Sequence, residues 1–230
     1  MLSQFFHGSV DTNQLIMYLI SVSIVVFLVM PIHEWAHGFA AYKLGDYTAK
    51  WSGRLKFSPL AHIDPFGAIC IVLFGFGWAK PVPVDPRNFK NPKRDMAITA
   101  IAGPLSNILM GIVFAFIYTL IIFSVNSSIE LSQEMINFFG LLLYIIKVCM
   151  IINFNLALFN LIPIPPLDGS KILYALLPNR IIAKFEYYQR YSFLILVFLV
   201  FVLPVGRFIS NISYYLIDLI LNLFFTIFGI

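Results

Sequence analysis

The feature that most constrains this chain is an apolar segment, about residues 15–44, that carries His33, Glu34 and His37 near its C-terminal end. A run of this length is expected to cross a membrane as a helix, and ionisable side chains in such a helix are costly and mark functional sites. Residues four apart share a helix face, so the two imidazoles can bind one Zn²⁺ with Glu34 beside it as a general base. The alternative is that both histidines only finish a membrane helix and bind no metal.

The composition indicates an integral, multi-pass membrane protein of the all-α class. Hydrophobic residues make up 60% of the 230 residues and charged residues only 11%, and the mean hydropathy is +0.89. A soluble domain of this length is far less apolar. The net charge of +4 does not point to nucleic acid, because the basic residues lie between apolar runs, where membrane orientation explains them. Cys70 and Cys149 lie far apart in apolar stretches, so we expect packing roles and no disulfide framework.

The apolar runs predict about five transmembrane helices. Three spans cover about residues 15–44, 96–125 and 136–162, and two further runs cover 191–203 and 208–230. The last two form a hairpin whose first arm is marginal in length for a span. We expect residues 1–177 to form the catalytic membrane core and residues 178–230 a C-terminal helical hairpin. No basic region precedes the first run, so we expect a retained helix and not a cleaved signal peptide.

An apolar insert at residues 66–79 interrupts the polar connection between the first two spans. It has about 14 residues, fewer than the roughly 20 that a spanning helix needs. Gly75 and Gly77 interrupt it and Pro81 and Pro83 follow, so the sequence predicts a re-entrant, strand-like or β-hairpin-like segment. Such backbone is tolerated in a membrane only where protein or a water cavity covers it.

The distribution of basic residues predicts the orientation. They concentrate in the connection before the second span and in the segment after the third, whereas residues 126–134 carry none. By the positive-inside rule both larger connections are cytoplasmic, which places the N-terminus outside and the candidate site towards the cytoplasmic side. The expected location is a bacterial cell membrane.

Catalytic zinc takes three protein ligands, so a third must come from elsewhere in the chain. The candidates share a carboxylate or imidazole on the same membrane side: Asp168, His62, Asp64, Asp46, Asp85 and Asp95. Asp168 is favoured because it follows a turn whose prolines, within residues 163–166, prevent a continuing helix and hold the carboxylate still. The alternative is that Asp168 is the N-cap of a short helix over about residues 170–177.

Two motifs together resemble the site-2 protease family of intramembrane zinc metalloproteases. They are His33-Glu34-x-x-His37 and Asn160-x-x-Pro163-x-Pro165-Pro166-Leu167-Asp168-Gly169. The runs Gly103-Pro104-Leu105-Ser106-Asn107 and Trp78-Ala79-Lys80-Pro81-Val82-Pro83 are similar to further family elements. The resemblance covers about residues 15–177. It implies one Zn²⁺ per chain with His33, His37 and Asp168 as ligands, and Glu34 as the catalytic base.

The chain departs from larger members of that family. We expect no PDZ-like insert between the second and third spans, no nucleotide-sensing CBS domain after the core, and no helix before the metal-binding one. Regulation through such domains is therefore not expected. The resemblance implies that the partners are the lipid bilayer and a membrane-protein substrate with a transmembrane helix, often a regulator already trimmed by another protease.

Cleavage within a membrane requires an extended substrate, because a helix hides its carbonyl groups in hydrogen bonds. We expect residues 50–59 and the insert at 66–79 to offer a strand edge to the substrate; the alternative is that the insert only plugs the cavity. Asn160 and Asn107 are candidate substrate-binding residues or oxyanion donors, or else hydrogen-bonding residues between helices. His62 is either a proton-relay group or an ordinary loop histidine.

Three functions are compatible with these patterns. They are a zinc-dependent intramembrane endopeptidase, a catalytically silent relative that binds membrane proteins, and a metal or ion transporter. The first is favoured because neither a ligand nor the base is missing, and because the polar residues concentrate at one membrane face and not along several spans. Lys147 and Asp218 lie within the third span and the last apolar run, and are candidate partners in a buried ion pair whose role the sequence leaves open.

Overall fold

A computed structural model describes residues 12–56, 58–74, 78–127, 131–178, 180–182, 191–201 and 205–230. Within these residues the chain is almost entirely helical and contains no β-strand, which confirms the all-α class. An isolated antiparallel bridge joins Ile63 and Ala79. The first eleven residues lie outside the described part.

The helices follow one another in chain order. They are α1 (Thr12–Ile24), α2 (Met30–Lys43), α3 (Thr48–Trp51), α4 (Pro59–His62), α5 (Pro65–Phe74), α6 (Pro92–Asn126), α7 (Gln133–Asn160), α8 (Asp168–Leu176), α9 (Ser192–Phe201) and α10 (Val205–Phe228). A π-helical turn, Val25–Val29, joins α1 to α2 without a break, and a short 3₁₀ turn, Pro86–Asn88, precedes α6.

Four helices are long and apolar enough to cross a membrane. They are Leu15–Lys43, Pro92–Asn126, Gln133–Asn160 and Val205–Phe228. The chain is therefore a multi-pass membrane protein. The predicted total of about five spans is not confirmed, because α9 has 10 residues and would rise about 15 Å, half the thickness of a bilayer core. Residues 202–204 lie outside the described part. The division of the chain at residue 177 into a catalytic core and a C-terminal hairpin stays a prediction.

The insert at residues 66–79 differs from its strand-like prediction, which is wrong for the part that α5 covers. Pro65 starts this helix, and Asp64 Oδ1 accepts the Gly67 N–H at 3.0 Å. A helix satisfies its own backbone hydrogen bonds, whereas a strand in an apolar environment needs a partner strand. Gly67 lets the helix lie directly against the Trp78 backbone, since a Cβ there would come 2.9 Å from the Trp78 carbonyl carbon. A re-entrant path stays a prediction, and residues 75–77 are outside the described part.

The buried core lies between α6, α7 and α10. Ala115, Met150, Phe154 and Ile217 form it. Gly111 faces the Phe154 ring, where a Cβ would lie 3.0 Å from Cζ, so the two helices approach closely.

One candidate contact of these helices is absent. Lys147 and Asp218 are both exposed on the outer faces of their helices. Within the described residues no ion pair joins them, so the candidate buried pair is wrong.

Candidate active site

The two histidines are placed by a helix whose preceding turn is widened. Pro31 has no N–H and its ring collides with the carbonyl group four residues earlier in a regular helix. The π-helical turn Val25–Val29 lies directly before it and accommodates this defect. From Met30 onward the helix is regular, and His33 and His37 are buried on one face, with 9% and 7% of their surface exposed.

Asp168, the first residue of α8, lies beside the two histidines. Its Oδ2 lies 3.1 Å from His37 Nε2 and 3.4 Å from His33 Nε2, and the two Nε2 atoms are 3.1 Å apart. The possible ligand atoms of the three residues all lie within 4.8 Å of one another. The structure therefore brings together the three residues predicted as metal ligands.

The turn between α7 and α8 directs Asp168 into this position. Leu167 is the N-cap of α8 and Asp168 its first residue, so the alternative that Asp168 is only the N-cap of this helix is wrong. A Cβ at Gly169 would come 2.5 Å from the Ile162 carbonyl oxygen. Because glycine stands there, the start of α8 packs directly on the backbone that follows α7. The Asp168 side chain then faces the two imidazoles.

The carboxyl group of Asp168 is charged at neutral pH. Burial alone would raise the pKa of Asp168, but hydrogen bonds with His33 and His37 and the charges of His37 and Lys171 hold it well below its ordinary range. The Lys171 ammonium lies 3.3 Å from Asp168 Oδ1. An ionised carboxylate is the form that binds a metal cation.

The main chain of α6 fixes the orientation of His37. His37 Nδ1 lies 2.7 Å from the Thr99 carbonyl oxygen, which can only accept a hydrogen bond, so Nδ1 carries the proton. His37 Nε2 faces His33 and Asp168, and it is the ring atom that would bind a metal there. The Nδ1 atom of His33 has no hydrogen-bond partner within the described part of the chain.

Gly103 forms the wall of the site on the α6 side. A Cβ at this position would lie 2.5 Å from His37 Cε1 and 2.7 Å from His33 Cε1. The α6 backbone therefore packs directly against both imidazole rings. Any larger residue at position 103 would fill the small space beside the rings. Two imidazole nitrogens and one carboxylate oxygen meet in that space. They fit the donor set and size of a zinc site with an open fourth position.

Glu34 lies on the same turn of α2, half-buried, beside a different segment. Its Oε2 accepts a hydrogen bond of 2.9 Å from the Val82 N–H. Oε1 has no hydrogen-bond partner among the residues that the structure describes. The sequence indicates only that the run Trp78–Pro83 is similar to a family element, and it gives this run no role. The role of Thr99 could not be predicted, because it depends on a main-chain carbonyl group that every residue type has.

The remaining acidic candidates for a third ligand form hydrogen bonds or an ion pair away from the histidines. Asp46 Oδ2 accepts the Asp85 N–H at 2.8 Å, Asp95 Oδ2 accepts the Asn91 N–H at 3.0 Å, and Asp64 caps α5. Asp85 pairs with Arg87 through a 2.7 Å contact. None of the four belongs to the cluster of metal-ligating groups found in the described residues.

His62 is also outside that cluster. It is almost fully buried, at 1% exposure, with Nε2 3.4 Å from the Lys56 carbonyl oxygen. Burial lowers the pKa of His62, and the nearby Arg54 charge acts in the same direction, against the opposing effects of the Lys56 carbonyl and Glu34. His62 is therefore neutral at pH 7, and the relay role stays a prediction.

The two predicted asparagines lie on the helices that flank the site. Asn107 follows Gly103 by one helical turn and is 1% exposed. Neither its Oδ1 nor its Nδ2 has a hydrogen-bond partner in the described part of the chain. Asn160 ends α7, and its Nδ2 donates to the Leu156 carbonyl oxygen at 3.0 Å. Substrate binding by either residue stays a prediction.

Two histidines and a glutamate on a membrane-spanning helix, with an aspartate brought beside the histidines by the turn after α7, define a membrane metallopeptidase. The model of peptidase family M50 matches residues 20–203. The chain belongs to this family, which confirms the resemblance to site-2 proteases. It is therefore a metallopeptidase, a hydrolase of peptide bonds. The family implies zinc, and the cluster of His33, His37 and Asp168 fits such a site.

Named relatives agree with this assignment. "Putative zinc metalloprotease YwhC" of Bacillus subtilis (strain 168) is 39% identical over 84% of this chain and 83% of its own length. "Putative zinc metalloprotease MJ0611" of Methanocaldococcus jannaschii is 30% identical over 66% of this chain and 72% of its own length. "Putative zinc metalloprotease Rip2" of Mycolicibacterium smegmatis is 24% identical, with 81% of this chain and 69% of its own length covered. No solved structure matches the chain significantly.

Proposed function

We propose that this chain is a zinc-dependent intramembrane endopeptidase that cleaves transmembrane segments of membrane proteins. The observation that carries the proposal is the convergence of Asp168 on His33 and His37, with Glu34 alongside, where the last three lie in a helix long enough to cross a membrane. His33, His37 and Asp168 would hold one Zn²⁺ per chain. When bound there, zinc supplies Lewis-acid chemistry, which acidifies water and polarises a peptide carbonyl.

The residues of the chain itself supply the proton transfers. Glu34 is the general base that takes a proton from the attacking water, and it returns a proton to the leaving amine. Its Oε1 is the oxygen available for this exchange, because Oε2 is bound by the Val82 N–H. The neighbours of Asp168 hold its carboxyl group in the ionised form that metal binding needs, and the Thr99 carbonyl orients His37 with Nε2 towards the site.

Two asparagines are proposed to bind the substrate. The amide of Asn107 is buried without a protein partner in the described part of the chain, and such a group is expensive to leave unsatisfied. A substrate backbone carbonyl or amide would satisfy it. Asn160 is only half-buried at the end of α7, so its side chain can exchange the bond to Leu156 for one to substrate.

The proposed location is a bacterial cell membrane, with the N-terminus outside and the active site towards the cytoplasmic side. The proposal is supported by the basic residues, which concentrate in the connections before α6 and after α7. The proposed partners are the bilayer and a membrane protein with a transmembrane helix.

The decisive experiment compares membrane-protein fragments in cells that carry wild type or Glu34→Gln. The variant keeps the size of the side chain and removes its basicity, so we expect normal zinc content and loss of the wild-type fragments. Glu134→Gln is the matched control, because Glu134 lies exposed in the first turn of α7, and it should leave the fragments unchanged. Identical fragments from wild type and Glu34→Gln would refute the proposal.

A further inference from the structure

We propose that Arg54 is a positioning residue for Glu34 and that it acts through the peptide group between Pro81 and Val82. The inference rests on the general-base role proposed for Glu34. Two sets of hydrogen bonds carry it. The Val82 N–H donates to Glu34 Oε2 at 2.9 Å, and Arg54 Nη2 donates to the carbonyl oxygens of Lys80 at 2.6 Å and Pro81 at 3.2 Å.

The Pro81 carbonyl and the Val82 N–H belong to the same peptide group. This peptide is trans, and in a planar trans peptide the C=O and N–H point in opposite directions. Arg54 and Glu34 therefore hold one peptide from its two sides. The guanidinium charge polarises the carbonyl and makes the N–H on the other side a stronger donor to the carboxylate.

Arg54 is a buried cation whose side-chain hydrogen bonds, within the described residues, go only to carbonyl groups. Its surface is 9% exposed, and its Nε has no hydrogen-bond partner there. No carboxylate within the described ranges lies close enough to form an ion pair with it. Burying a cation is costly unless its polar partners compensate. The partners that Arg54 has are carbonyl groups of the segment that binds Glu34.

Leu55, which follows Arg54, and Val82 both pack against α2, the helix that carries His33, Glu34 and His37. Trp35 Nε1 donates to the Leu55 carbonyl oxygen at 3.1 Å, which fixes the residue next to Arg54. Gly38 leaves room for two side chains on the helix surface, since a Cβ there would lie 3.1 Å from Leu55 Cδ2 and 3.1 Å from Val82 Cγ1. The neighbouring loops are therefore packed against α2 one residue beyond His37.

The segment is also held at its other end. The Lys80 N–H donates to the His62 carbonyl oxygen at 2.9 Å, and Ala79 forms the isolated bridge with Ile63. With these contacts in place, the hydrogen bond from Arg54 to the Pro81 carbonyl opposes rotation of the peptide between Pro81 and Val82, and so keeps the Val82 N–H directed at Glu34 Oε2.

The first test replaces Arg54 with Met, which keeps an unbranched apolar stem and removes the guanidinium donors. A base misplaced by about 1 Å can lose roughly 100-fold in rate, so we expect kcat to fall about 10- to 100-fold while KM changes little. Zinc per chain should stay at the wild-type value. Arg54→Lys keeps the charge and one donor direction, and should recover part of kcat. Arg87→Met is the matched control, since the Arg87 side chain is 89% exposed, and it should behave as wild type.

A second readout does not depend on turnover. Val82 lies between Pro81 and Pro83, which have no N–H, so it carries the sole exchangeable amide in this tripeptide. Hydrogen exchange at that amide, followed by mass spectrometry in detergent or nanodiscs, should become faster in Arg54→Met and stay unchanged in Arg87→Met.

Deleting the Val82 N–H tests the same connection from the other side. Val82→Pro removes the donor, whereas Val82→Ala keeps it and trims only the side chain, so the proline variant should lose more kcat. Adding Arg54→Met to Val82→Pro should cause little further loss, because both act through one contact.

The possible results separate this inference from the proposed function. Wild-type kcat in Arg54→Met, or a loss of kcat accompanied by loss of zinc or of the fold, would overturn the positioning role. If Glu34→Gln is inactive while Arg54→Met turns over normally, only the present inference fails. If Glu34→Gln is fully active, the proposed function fails with it.

Discussion

The side chain of His37 donates a 2.7 Å hydrogen bond from Nδ1 to the main-chain carbonyl oxygen of Thr99 and thereby joins α2 to α6. Gly103 lies one turn further along α6 and packs against both His33 and His37. The part of α6 from Thr99 to Gly103 thus orients His37 and limits the space of both His33 and His37. The metal site depends on how closely these two helix backbones approach.

Gly103→Ala should disrupt the site without disrupting the fold. The added Cβ would lie 2.5 to 2.7 Å from carbon atoms of the two rings, well inside contact distance, so the imidazoles must shift. Changes next to metal ligands typically cost about 10- to 100-fold in affinity, and we expect a loss of zinc affinity of that order and a comparable loss of cleavage. Competition with a chromophoric chelator measures the affinity.

Gly140→Ala is the matched control for this substitution. Gly140 lies exposed in α7, and a Cβ there would meet nothing within 4 Å. Alanine is favoured over glycine in a helix by about 1 kcal/mol, so zinc affinity should stay at the wild-type value and the thermal midpoint should not fall. Equal zinc affinity in Gly103→Ala and Gly140→Ala would contradict the close packing of α6 on the rings.

Asp168→Asn should separate metal binding from folding. The amide has the shape of the carboxylate but lacks its charge, and a neutral amide is a poor partner for Zn²⁺ beside two imidazoles. We expect purified Asp168→Asn to carry much less than the zinc content of wild type and to cleave nothing. Asp218→Asn, which changes an exposed aspartate of α10, should keep both properties.

Removal of zinc from the wild type gives an independent measurement of the same site. A ligand at one hundred times its Kd stabilises the folded state by about 2.7 kcal/mol, so a chelator should lower the thermal midpoint of wild type. The midpoint of Asp168→Asn should not respond to the chelator. A chelator effect of equal size in both proteins would show that the metal binds elsewhere.

Much of the site could be predicted from the sequence because its signals are local. Hydropathy identified the continuous helix of α1 and α2, together with α6, α7 and α10, as spans, and helical spacing placed His33 and His37 on one face. The proline-rich turn before Asp168 restricts its backbone so strongly that the residue could be proposed as a ligand. These are effects of chain stiffness and periodicity within a few residues.

The rest depends on contacts between distant segments, which residue types do not encode. Thr99 and Val82 act through main-chain atoms, so their side chains give no indication of their roles. The insert before Trp78 was expected to be strand-like because of its length and glycines, yet α5 forms because a helix needs no partner for its backbone in an apolar environment. Lys147 and Asp218 were paired from charge alone, and helix rotation turns both of them outward.

Asp46 gives the stability of the loops around the site a dependence on pH. Its carboxylate accepts hydrogen bonds from the Thr48 N–H, the Asp85 N–H and the Asn88 amide, at 3.0, 2.8 and 2.8 Å, and from the Thr48 hydroxyl. Burial alone would raise the pKa of Asp46, but these donors outweigh it and hold the pKa below the ordinary value of 3.8. The ionised form therefore ties the turn after α2 to the segment that precedes α6.

Because the folded pKa of Asp46 lies below the unfolded one, its contribution to stability is complete above the unfolded pKa and is lost as the pH falls through the folded value. Asp46→Asn places an NH₂ group among four donors, and we expect it to lower the free energy of unfolding at pH 7 by about 1 to 3 kcal/mol. Thermal midpoints measured between about pH 7 and pH 3 should fall less steeply in Asp46→Asn than in wild type. Asp218→Asn should follow the wild-type curve, and parallel curves for wild type and Asp46→Asn would contradict the assignment.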